Sequence, residues 1–203
     1  MKKIIAVLLV MMMSALSVSA QGDSTIVRET SYDKFTSFYG ERYRYIDRYV
    51  SEILPNGFGT YIINCALRTF IVDKGEYRHF VLLEYPGNYT VIDYKDFLRT
   101  ADEALRLRKE FDEDKNFTYD RLANYYISED RLKIGYYIED TKWSWFIALY
   151  SGKDYDYGRQ DFKYSDKFYQ SFMKAADEIK RLVKSGDWKQ STSGRLIKIQ
   201  RMK

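Results

Sequence analysis

His79 is the only histidine in the 203 residues. One imidazole cannot make a His-pair metal site or an H-E-x-x-H motif. It alternates with Tyr77, Val81 and Leu83, so a packed strand residue is expected, not a general base. The sequence holds no G-x-S-x-G elbow, P-loop, Rossmann glycine pattern or EF-hand loop. Two acidic groups, Asp154/Asp156 and Asp112/Glu113/Asp114, have the oxygens that calcium takes. They lack the glycine and spacing of a calcium loop and read as solvated charge. Cys65 is the sole cysteine and sits in the apolar stretch 61–67. It can form no internal disulfide and reads as a buried, inert thiol. No catalytic residue, metal or cofactor is expected.

The composition departs from the ordinary in its tyrosines, 20 of them within a 17% aromatic chain. A phenol offers a flat apolar face and a hydroxyl, which suits sugars, bases and protein interfaces. Two runs stand out, Arg42-Tyr43-Arg44-Tyr45 and Asp154-Tyr155-Asp156-Tyr157-Gly158. Their Arg42, Tyr43, Arg44, Tyr45, Tyr155 and Tyr157 are the candidate ligand-binding residues, and a protein or a glycan is the candidate partner.

Strands and helices must position these groups. Residues 42–50 are rich in β-branched and aromatic side chains and read as a strand. Pro55-Asn56-Gly57 ends it; strands follow at 59–72 and 76–85, with Asp73-Lys74-Gly75 turning between them. Asp93 is placed to cap a helix whose Phe97, Ala101, Ala104 and Leu105 recur at helical spacing, fading near Phe111. Further strands are expected at 121–128, 131–139 and 142–150. In the second of these Leu132, Ile134, Tyr136 and Ile138 alternate with Arg131, Lys133, Tyr137 and Glu139. Residues 151–163 are a loop or a short fourth strand. Ser165 opens a last helix with an unbroken apolar stripe from Phe168 to Val183, and Gly186 ends it.

The ends carry their own signals. Lys2 and Lys3 precede about ten apolar residues, and a small-residue stretch ends at Ala20. This is the pattern of a cleaved secretory signal, too short to span a membrane. The mature chain is expected to start at Gln21 and to work in the periplasm or outside the cell. No cysteine stands at the cleavage point to carry a lipid, and no later stretch is long and apolar enough to span a bilayer. Residues 184–203 hold six basic side chains and one acid, so residues 21–183 are acidic by three charges. A uniformly basic domain for nucleic acid is not what this distribution describes. Residues 187–203 read as a basic tail, dispensable for folding.

Residues 97–107 (FLRTADEALRL) and 172–182 (FMKAADEIKRL) share six of eleven positions at an offset of 75, with Tyr94 and Tyr169 in step. Each helix follows a group of strands, and a fixed period with one element order is how duplication shows. The expected fold is therefore α+β: three or four antiparallel strands and one helix, twice. Residues 1–20 are the signal, and 21–186 form one domain of two halves, 33–115 and 116–186.

The Ile92-Asp93-Tyr94 lead-in to the first helix, the strands after it and the closing helix resemble a group of small, uncharacterised secreted bacterial proteins. That resemblance covers about residues 33–185 and brings no activity with it. The element order is also similar to the Whirly and PUR families, which implies binding of single-stranded nucleic acid or another polyanion; the compartment argues against nucleic acid. Three functions stand as expectations: a non-catalytic extracytoplasmic binding protein, a single-stranded nucleic-acid or polyanion binder with a basic face at Arg42, Arg44 and Arg48, and a hydrolase built on His79.

Overall fold

The computed structural model describes residues 29–53, 62–85, 88–114, 121–140, 142–150, 157–163, 166–189 and 199–200. The chain runs α1 (Ser31–Gly40), β1 (Arg44–Ile53), β2 (Ile63–Asp73), β3 (Glu76–Tyr85), β4 (Asn88–Asp93), α2 (Tyr94–Asp114), β5 (Arg121–Ile127), β6 (Lys133–Glu139), β7 (Lys142–Tyr150), β8 (Tyr157–Lys163) and α3 (Asp166–Ser185). A 3₁₀ turn (Asp187–Lys189) and the two-residue β9 (Ile199–Gln200) close it. This is an α+β fold of two antiparallel sheets, ordered β4-β3-β2-β1-β9 and β5-β6-β7-β8.

Each sheet turns one face to the main core. Ile46, Leu67, Val81 and Ile92 of the first sheet and Ile134, Tyr136, Trp145 and Ile147 of the second are buried with the apolar stripes of α2 and α3. A bulge at Val50 keeps the register productive: it interrupts the β1–β2 ladder between Tyr49 and Ser51. The one extra residue brings Ile53 onto the core face that Ile46 occupies at the other end.

The duplication is approximate, and it is visible in the contacts. Phe97 and Phe172, equivalent at the offset of 75, pack on each other with ring centroids 5.1 Å apart, as equivalent residues do beside a pseudo-twofold axis. Tyr94 meets His79 in the fourth position of β3, and Tyr169 meets Trp145 in the fourth position of β7, at 5.3 and 5.5 Å. The helices diverge otherwise. α2 touches β3 and β4 of its own sheet and β5 and β6 of the other, whereas α3 lies chiefly along β1.

Asp93 caps α2 as expected, accepting from the Lys95 N–H at 2.8 Å, and Gly186 ends α3 at φ 77°. Residues 157–163 form the fourth strand. The Ser165 cap and the turn at 55–57 lie outside the described residues.

β4 is a strand where none is read, Leu105 is exposed while Leu107 takes the core position, and two further elements differ from expectation. α1 is a helix where no helix is read. Thr30 and Asp33 form a capping box, and Phe35 is buried against Phe70 and Phe80 on the outer face of the first sheet. Its end is a Schellman motif: Tyr43 N–H bonds Phe38 C=O at 3.2 Å and Arg42 N–H bonds Tyr39 C=O at 3.1 Å, while the Phe38 and Tyr43 rings touch. The second difference is at residue 187. Trp188 is 3% exposed and belongs to the main core, against Tyr77 and His79 at 4.7 and 5.3 Å. Trp188 therefore belongs to the core and not to a basic tail that begins at 187.

Asp130, in the β5–β6 turn, ties the halves together. Its carboxylate accepts from the N–H of Ser31 at 3.2 Å and of Asp93 at 2.8 Å, and its own N–H donates to Asp96 at 3.0 Å. Burial pushes the Asp130 carboxyl up, against the pull of Ser31 and Asp93.

Candidate functional site

The four residues of the first tyrosine run do not share a surface. Arg42 holds the left-handed position, φ 61°, that ends α1. Arg44 is exposed at the start of β1, and Tyr43 is half-buried. Tyr45 is 3% exposed, enclosed by Tyr39, Phe70 and the Arg68 guanidinium, which lies 4.5 Å from its ring centre. Tyr155 lies outside the described residues, as do Asp154 and Asp156; Tyr157 opens β8, paired with Tyr150.

The basic face fares similarly. Arg48 is buried and donates to the Asp187 carbonyl at 3.0 Å, so Arg42, Arg44 and Arg48 do not line one groove. His79 is packed between Tyr94 and Trp188 and bonded to Thr69 Oγ1 through Nδ1 at 2.8 Å. Burial pulls it down to about 4, against Asp93, so it is neutral at physiological pH. Cys65 is buried and its thiol is pushed up by desolvation. Asp112 is paired with Arg108, and Asp114 accepts from the Tyr136 hydroxyl at 2.6 Å. Among the described residues no group of three His, Cys, Asp or Glu is placed to hold a metal ion.

The exposed aromatic surface lies elsewhere, on the outer face of the second sheet. Strand alternation sets Ala123, Tyr125 and Ile127 of β5 beside Tyr137, Gly135 and Lys133 of β6, which in turn pair with Ser144, Phe146 and Ala148 of β7. Tyr125 and Ile127 are 46% and 45% exposed. Lys133 Nζ sits 3.8 Å from the Tyr125 ring centre and 5.8 Å from that of Phe146, a cation–π arrangement that fixes the phenol. Tyr137 packs on Phe146 at 6.2 Å. The first sheet's outer face is covered by α1; on this one Ser144, Phe146 and Ala148 of β7 are buried, so the exposed part is the β5 margin at Tyr125 and Ile127. Compared with protein-family models, curated proteins and solved structures, the chain finds no match.

Gly135 sets the flatness of this platform. A Cβ there would lie 2.3 Å from the Asn124 carbonyl oxygen and 2.6 Å from Tyr125 Cβ. Most of that obstruction is strand backbone, so β5 has to move away. Gly135→Ala is expected to cost about 1–3 kcal/mol, the usual range for overpacking, read as a lower urea midpoint with unchanged slope.

Sequence reasoning placed Lys133 and Tyr137 opposite the apolar side of their strand but gave Tyr125 and Ile127 no weight. The available signal was the alternation of residues 121–127, whose Ala123, Tyr125 and Ile127 share the face of Lys133 and Tyr137 through the β5–β6 register.

Proposed function

We propose that this chain is a non-catalytic binding protein working outside the cytoplasm, and that it engages a protein partner on the outer face of the second sheet. The observation that carries the reading is the adjacency of Tyr125 and Ile127, both nearly half exposed, on a platform steadied by Lys133. Adjacent apolar and aromatic side chains at the margin of a sheet are the kind of group a protein partner buries. Tyrosine beside an aliphatic side chain suits a protein surface better than a sugar, which would stack on the ring alone. The leader at residues 1–20 supports the compartment, and the burial of His79 and Cys65 leaves two obvious nucleophile or base candidates inside the core.

The test is a photo-crosslinking amino acid at Lys142, exposed on the same face, with a control at Leu105 on α2, also exposed. In native cells the Lys142 probe is expected to give an adduct with one discrete protein, absent from the control. Tyr125→Ala should weaken that complex about tenfold or more, the loss an aromatic anchor carries, with unchanged circular dichroism. Equal adducts from both probes, adducts at twice the chain's own mass alone, or glycan binding that needs Tyr125 would each overturn the reading.

A further inference from the structure

We propose that the open edge of β5 pairs with β5 of a second copy of this chain, antiparallel about a twofold axis at Tyr125, joining two four-stranded sheets into one of eight strands. β5 is the terminal strand of its sheet, and no described residue pairs with its outer edge. The β5–β6 turn fixes which backbone groups that edge presents. Ser128 N–H bonds Leu132 C=O at 2.9 Å, and Arg131 N–H bonds Ser128 C=O at 2.9 Å, with Arg131 left-handed at φ 63°. Hydrogen-bonded and non-bonded pairs alternate along an antiparallel ladder. Counting back from Ser128, Tyr126, Asn124 and Leu122 bond to β6, and Ile127, Tyr125 and Ala123 turn their N–H and C=O groups outward.

Sheet edges are ordinarily defended by proline, lysine, a bulge, an inward charge or a covering element. β5 reads RLANYYI, with one charge at its first residue and no proline or lysine. Its register with β6 has no bulge. In the other sheet β4 lies against α1 and β1 carries β9; β5 meets α2 through its inward-facing residues, Asn124 bonding Glu110.

The sequence of the strand favours its own copy as the occupant. With Tyr125 opposite Tyr125 of the second copy, Ala123 stands opposite Ile127, small against large. The outward-turned groups of 123, 125 and 127 meet each other in bonded pairs. An axis perpendicular to the sheet keeps the two outer faces on one side, so the exposed Tyr125 and Ile127 of both copies join in a single row. This inference does not depend on the protein partner proposed above: it rests on the outward backbone groups of β5, and that reading on the Tyr125 and Ile127 side chains.

Sedimentation of the mature chain over a concentration series tests it, together with two variants read by different means. The wild type is expected to dimerise. Ala123→Pro removes an outward N–H that the β6 ladder does not use. It should raise the dimer dissociation constant at least tenfold with the circular dichroism unchanged. Cys65 is buried, so an introduced thiol is the one accessible to mild oxidation. Tyr125→Cys should form a disulfide-linked dimer and Ala123→Cys should not, since the two 123 positions would lie about 14 Å apart, beyond disulfide reach. If Ala123→Pro disturbs the fold, the cysteine pair decides. A wild type that stays monomeric at several hundred micromolar, a dimer that survives Ala123→Pro, or Ala123→Cys linking as readily as Tyr125→Cys would overturn the proposal.

Discussion

Asp47→Ala is expected to destabilise the protein by about 3–5 kcal/mol, the cost of removing one partner of a buried ion pair. Asp47 and Arg68 stand opposite each other in the β1–β2 register, and the guanidinium grips the carboxylate with two bonds, Nη2 to Oδ2 at 2.6 Å and Nε to Oδ1. Both side chains are largely buried. Arg68 also lies over the rings of Phe35, Tyr39 and Tyr45, at 5.4, 5.7 and 4.5 Å, and donates to the Tyr39 hydroxyl. Burial pulls the guanidinium down to about 10, against Glu84 and Tyr89, so at neutral pH it is still a cation that needs its counter-charge. Without Asp47 that cation sits among aromatic rings beneath α1, and the helix it helps to hold should loosen first. Urea unfolding measures the loss. The double variant Asp47→Leu with Arg68→Met, which removes both charges, is expected to recover most of it, because an apolar pair has no desolvation penalty. A loss below 1 kcal/mol for Asp47→Ala would mean the pair is effectively solvated.

How much of this was legible in the sequence follows from where each element finds its partners. α2 and α3 carry stripes long enough to declare themselves, and Gly186 marks its own turn. β6 shows its alternation because one face is apolar and the other is not. α1 gave weaker signals: the Thr30-x-x-Asp33 box and the Phe35/Tyr39 spacing sit in ten residues whose aromatics also suit a strand. A helix that short owes its stability to packing, here the seating of Phe35 on Phe70 and Phe80, residues far away in the chain. The fate of Tyr45 depended on that helix. Tyr43 and Tyr45 share one face of the strand by alternation, but whether a face meets water or α1 is decided from outside the strand. The candidate surface moved to β5 for the same reason: which outer-face positions stay exposed, Tyr125 and Ile127 and not Phe146 or Ala148, is decided by what packs on the strand from outside.

Truncation after Gly186 is expected to lower the melting temperature by about 10 °C. Trp188 is the main reason. Its indole packs edge-on against Tyr77 and His79 and is 3% exposed; losing a buried tryptophan costs about 3–5 kcal/mol. At roughly 2–4 °C per kcal/mol for a chain of this size, the indole alone accounts for the predicted fall. The cut also takes the Asp187 carbonyl that Arg48 bonds at 3.0 Å, the Asp187 carboxylate that Arg181 bonds at 2.5 Å, and the pairing of Ile199 and Gln200 with Ile46 and Tyr45. Arg181 is half exposed, so its pair adds little. The sequence reading took residues 187–203 as a basic tail dispensable for folding. It missed that Trp188 lies three residues past the helix and needs only the 3₁₀ turn at 187–189 to reach the core. A cut after Lys189 separates the parts: it keeps Trp188 and removes the last four basic residues with β9. That variant should melt within a few degrees of the full chain. Equal melting temperatures after the two cuts would place the stabilising contacts beyond Lys189, and an unchanged melting temperature after Gly186 would place Trp188 outside the core.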